Sequence, residues 1–163
     1  WRSFLPGRSV KGIALIAVGG AALFGASLYA FSNVLAETDR VVLRDNDPAI
    51  VALGANVYEA NCASCHGADL EGQANWRSPG EDGRLLAPPH DETGHTWHHD
   101  SDTLFQLTKY GVSALINDPD YASNMPIYDG VLSDEEIIAV ISYIKSTWPE
   151  EIRARHTEME NRQ

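Results

Sequence analysis

Residues 62–66 read Cys62-Ala63-Ser64-Cys65-His66, a C-x-x-C-H pattern, the attachment signature of c-type haem. Two cysteines one helical turn apart can reach the two vinyl groups of the macrocycle and form thioethers. The histidine that follows falls under the iron and offers an imidazole nitrogen as proximal ligand. Three other readings compete. A thioredoxin-type pair needs a βαβ setting, which this chain lacks. Zinc would need two further ligands, which loop histidines could supply. Two thiols could also meet by chance in five residues. These are the only cysteines in 163 residues, so a disulfide-rich scaffold is excluded.

Upstream of the motif, Asp47-Pro48 reads as an N-cap and first helical residue. Ile50, Leu53, Gly54, Val57 and Tyr58 then recur at helical spacing and lead directly into Cys62. Downstream, residues 67–100 hold Gly72, Gly80, Gly83, Gly94 and Pro88-Pro89. A structureless loop longer than about 15 residues usually has a functional reason, and a wrapped cofactor is one. A helix is predicted after Asp100 or Ser101, ending near Gly111. Ser133-Asp134-Glu135-Glu136 is a capping box, and Ile137, Ile138, Ile141 and Ile144 follow on one face. Trp148-Pro149 breaks that helix, and residues 149–163 read as a polar helix or tail. No strand pattern and no repeat is visible, so the body reads as all-α.

A firm electron-transfer site needs a sixth iron ligand, and a thioether sulfur is the usual choice beside histidine. The chain has two methionines. Met159 sits in the polar C-terminal segment. Met125, in Asn124-Met125-Pro126, lies in a loop before the last apolar helix and is the better candidate, although a methionine can also simply fill a core gap. Ile50, Val57, Leu85, Leu104, Ile137 and Ile141 are the expected apolar shell.

This arrangement resembles a class I, monohaem cytochrome c over roughly residues 48–148. The residues carrying it are Gly54 and Tyr58 before the motif, Cys62–His66 followed by Gly67, Met125-Pro126, and a last helix with Tyr143. The resemblance implies a helix crossing at Gly54 and Tyr143. It implies a proline carbonyl, from Pro88 or Pro89, accepting a hydrogen bond from the ligating histidine. It implies that Trp97 lines the haem edge. The haem would be one haem c, held by Cys62 and Cys65, with His66 and Met125 on the iron. Quinol:cytochrome c oxidoreductase as donor, and a terminal oxidase or photosynthetic reaction centre as acceptor, are the partners it offers.

The N-terminal part departs from soluble members of that family. From Gly12 to Ala36 there is no charged residue. Twenty-five helical residues exceed the ~30 Å of a hydrocarbon core. A retained anchor over residues 12–36 is the expectation. An uncut signal peptide is the alternative, since Val34-Leu35-Ala36 resembles a cleavage site. Ala17, Ala21 and Gly25, and likewise Ala22, Ala26 and Ala30, form small-residue rows that suit close helix packing in lipid. Arg2, Arg8 and Lys11 in the head, residues 1–11, place the N-terminus in the cytoplasm and the body in the periplasm of a bacterial inner membrane. Residues 37–47 read as a linker.

Those three cations are part of a total of 12, so nine basic residues face 23 acidic ones from Glu37 onward, a balance of −14. Phosphate binding needs clustered Lys and Arg, so a nucleic-acid partner is excluded. The acidic charge either steers encounters with basic docking faces or simply keeps the domain soluble. One feature is left over. His90, His95, His98 and His99 crowd into ten residues around Trp97. They read either as a loop folded over a haem edge or as a metal site, which would make a haem-based sensor or metal-handling module the second functional reading.

Overall fold

The computed structural model describes residues 40–162. The cationic head and the apolar stretch 12–36 lie outside the described residues. Among those described, no helix is long and apolar enough to cross a membrane.

Helix α1 spans Pro48–Asn61. Asp47 caps it, accepting from the Ala49 and Ile50 amides at 3.0 and 3.5 Å. Its buried face is Ile50, Gly54, Val57 and Tyr58; Leu53, the fifth member of the predicted stripe, is only partly buried at its margin. The short helix α2, Ala63–His66, follows at once. A long irregular stretch contains one 3-10 turn, Thr96–His98, and then come α3 (Ser101–Leu115), α4 (Asp134–Thr147) and α5 (Glu150–Glu160). Among the described residues the β pairing is a single isolated bridge, Pro79 to Leu85, so the domain is all-α.

The core is the packing of α1 on α4, with α3 laid beside α4. Gly54 makes the crossing. A β-carbon there would sit 2.0 Å from the Ala139 carbonyl oxygen and 2.7 Å from Tyr143 Cβ. The ring of Tyr143 also packs on Tyr58, centroids 5.5 Å apart. Val57, Leu104, Ile137, Ile141 and Ile144 are buried around this contact. Leu85 is not part of it and is 52% exposed. It lies in the 79–85 turn, where the bridge and the Gly80–Arg84 backbone bond hold the loop away from the core.

Helix α4 is buried on more than its isoleucine face, because Ala139, Val140, Ser142 and Lys145 are buried too. Residues 41–47 explain this. They read as a linker in the sequence, yet they lie against α3 and α4. The Val41 amide donates to Asp102 and the Arg44 amide to Ser142 Oγ. Asp45 pairs with Lys145 at 3.2 Å, both side chains about nine-tenths buried. On the far side α5 folds back. His156 is fully buried; its Nε2 donates to the His99 carbonyl and its ring tilts onto Trp148. Glu160 accepts from the Ser101 amide and hydroxyl.

Helix α3 bends at Gly111, where φ is +82° and ψ 168°. The regular helix therefore stops where the sequence places its end, and one more turn follows. The capping box at α4 is complete: Ser133 Oγ accepts from the Glu136 amide at 3.3 Å, and Glu136 accepts from the Ser133 amide at 2.8 Å. Loss of an N-cap hydroxyl typically weakens a domain modestly, so S133A should lower Tm by about 4 °C in a thermal scan. An unchanged Tm would mean that tertiary packing alone sets the start of α4.

Candidate functional site

The motif forms one tight turn. Cys65 and His66 amides both donate to the Cys62 carbonyl, at 3.1 and 2.9 Å, and Gly67 N donates to Ala63 O at 3.0 Å. Cys62 and Cys65 are thereby three residues apart on a helical turn, which places them on one side of it. Both are free thiols. Burial, with a smaller push from Cys65, raises the Cys62 thiol to about 11. Among the described residues no three His, Cys, Asp or Glu side chains converge to hold a metal ion, so the zinc reading of the motif has no partner set.

His66 is buried, with 8% of its surface exposed. Its Nδ1 lies 2.8 Å from the Pro88 carbonyl oxygen. A carbonyl only accepts, so Nδ1 carries the proton and Nε2 presents its lone pair. Burial lowers the His66 pKa, and the Pro88 bond opposes this weakly; the ring is neutral at pH 7, as a ligand must be. The choice left open between two prolines is resolved in favour of Pro88. The Pro89 carbonyl instead meets the Thr96 hydroxyl at 3.5 Å. It also lies against Gly94, where a β-carbon would come within 2.0 Å of it.

His90, the next residue, lies flat on His66, with ring centroids 4.0 Å apart and planes 21° from parallel. Tyr58 meets its edge at 6.2 Å, and Thr96 Oγ1 is 2.8 Å from its Nδ1. Burial first, and the neighbouring His66 and His95 second, hold its pKa well below the usual histidine value. The other loop histidines go elsewhere. His95 stacks on Trp76 at 5.1 Å and meets His99 edge-on at 5.4 Å; His98 stacks on Trp97 at 3.7 Å. The loop is an aromatic lining rather than a chelating cluster. Trp97 packs against the core, and its indole N–H is buried without a partner.

Met125 sits half-buried in the irregular segment before α4. Two neighbours fix that segment, and sequence reasoning missed both. Tyr128 OH donates to the carbonyl of Asn61 at 2.7 Å, the residue preceding Cys62, so the Met125 loop is pinned beside the motif. Asn124 ties it to the 79–85 turn, accepting from Arg84 at 2.6 Å and donating to Asp82 at 2.7 Å. That bond is the leading cause of the lowered Asp82 pKa. An aromatic hydroxyl three residues after Met125 was the available signal for the first. Nothing in the sequence pairs Asn124 with residues 40 positions away.

The turn sets both thiols on one side, the His66 ring is neutral with Nδ1 bonded to Pro88, and the Met125 loop is tied to Asn61 just before the motif. The family model described as Cytochrome c matches residues 51–148. The chain belongs to the cytochrome c family. No solved structure matches it at a significant level. Membership makes it a haem-based electron-transfer protein, and its own residues fit haem c. The thiols are free and share one side of a turn, Nε2 of His66 is uncommitted, and the orphaned Trp97 N–H is a donor that a haem propionate would satisfy. Cys62 and Cys65 would hold the group and His66 would ligate the iron.

Proposed function

We propose that this protein is a membrane-tethered one-electron carrier, passing electrons between membrane redox complexes on the periplasmic side. The observation that carries the electron-carrier reading is the His66 Nδ1–H to Pro88 bond. It fixes the tautomer, leaves the Nε2 lone pair for a ligand bond and raises the basicity of the imidazole. Haem c, when bound, supplies the one-electron couple. The chain's own part is to hold, orient and dry the site. Val57, Leu104, Ile137 and Ile141 form the buried apolar layer that would keep the site dry, and Met125, in the loop that Tyr128 and Asn124 tie down, would supply the second iron ligand.

The tether rests on the 25 uncharged residues from Gly12 to Ala36 and on the cations Arg2, Arg8 and Lys11 before them. Confinement to the membrane surface raises the effective concentration of the domain at membrane partners. Quinol:cytochrome c oxidoreductase as donor and a terminal oxidase or reaction centre as acceptor suit such a carrier, and the acidic body suits partners with basic docking faces. The same reading extends to a subunit of a respiratory or photosynthetic complex, and sizing after detergent extraction separates a free carrier from a subunit.

An optical redox titration with carbon monoxide added to the reduced protein tests the reading. A potential positive of the hydrogen electrode and no carbon monoxide shift are expected. A low potential with ready carbon monoxide binding would overturn the carrier and leave a haem sensor.

A further inference from the structure

His90 is held more firmly than a loop residue needs to be. Its amide donates to the Leu70 carbonyl at 2.7 Å, and Leu70 adopts the left-handed backbone, φ +66°, at that point. Its carbonyl accepts from Trp148 Nε1 at 2.8 Å. Its Nδ1 is tethered to Thr96 Oγ1 at 2.8 Å. Three hydrogen bonds thus hold this residue, two through its backbone and one through its ring, and its imidazole face covers the His66 ring at 4.0 Å. Such over-determination is the mark of a position that the fold spends structure to define.

The Pro88 bond fixes one edge of the His66 ring but leaves rotation about that edge. A flat neighbour removes the remaining freedom. We propose that His90 is a positioning residue that sets the plane of the proximal imidazole and keeps water off it. The inference rests on the haem-binding reading of His66. It gives the first histidine of the His90–His99 cluster a specific task, which the aromatic lining formed by the others does not share.

The plane of an axial imidazole controls the splitting of the ferric d orbitals, so electron paramagnetic resonance of the oxidised holoprotein reads it directly. Water reaching the ligand stabilises the ferric form. His90→Ala should therefore change the g anisotropy and move the ferric–ferrous equilibrium toward ferric, by on the order of tenfold, because solvent access to the ligand controls the potential. His90→Phe, which keeps a flat ring, should retain both wild-type values. Thr96→Val keeps the imidazole but frees it to turn, and should shift the g values even if the alanine variant fails to mature. Wild-type g values in His90→Ala or Thr96→Val, or a phenylalanine variant that behaves like alanine, would overturn the proposal. A wild-type protein that is itself high-spin would instead remove the reading beneath it.

Discussion

Gly54→Val is expected to lower the Tm of the holoprotein by more than about 10 °C, the order that follows from losing 3 kcal/mol or so in a domain of this size. The crossing of α1 and α4 has no room at this point. Even one β-carbon would lie 2.0 Å from the Ala139 carbonyl oxygen and 2.6 Å from its carbon. These are backbone atoms in the middle of a helix, and no rotamer change can move them. The helices must separate, and separation breaks the Tyr58–Tyr143 contact and opens the core below the motif. Ala52, exposed on the same helix, is the control: A52S should leave Tm within a degree or two. Thermal scans of both variants decide the matter. A valine variant as stable as wild type would mean that the helices do not meet as closely as Gly54 implies.

Gly54 also shows which parts of the fold the sequence discloses. A helix with one apolar stripe, an N-cap and a capping box are local patterns. Asp47-Pro48, Ser133–Glu136 and the spacing from Ile50 to Tyr58 were legible because each is satisfied within a few residues of itself. Trp148-Pro149 was legible as a helix end for the same reason. The docking of residues 41–47 was not. Asp45 and Lys145 are 100 positions apart, and in the sequence each is only one more charge. A buried pair is defined by what surrounds it, and nothing local records that.

The site divides along the same line. Cys62, Cys65 and His66 are contiguous, so their chemistry is written in one turn of chain. Pro88 against Pro89 could not be settled, because the two carbonyls differ only in where the loop folds. The loop histidines carry two readings in the sequence. Four imidazoles within ten residues read either as a loop over a haem edge or as a chelate; in the structure His90, His95 and His98 stack on His66, Trp76 and Trp97, and no chelating set forms among the described residues. The ties of Asn124 and Tyr128 are long-range hydrogen bonds from loop residues: the Tyr128 hydroxyl is the one local hint, and nothing local records the partners.

Met125→Ala is expected to open the sixth position of the iron and lower the reduction potential by on the order of 0.1 V or more, within the ~0.8 V span that axial ligation covers. The argument runs through the loop. Asn124 anchors one side of Met125 to Asp82 and Arg84, and Tyr128 anchors the other to the end of α1. Between these points the methionine is half-buried and belongs to no helical face, so the loss of its side chain leaves little core void. Stability should fall only slightly on that account, while the spectroscopic effect is large. A thioether favours the ferrous form, and its removal favours ferric. The far-red sulfur-to-iron band of the oxidised protein should vanish, and the reduced protein should bind carbon monoxide. Met159 lies in α5, so M159A should change neither property. If the band survives in M125A, or vanishes in M159A, then Met125 is not the ligand and the tie between its loop and the motif serves packing alone.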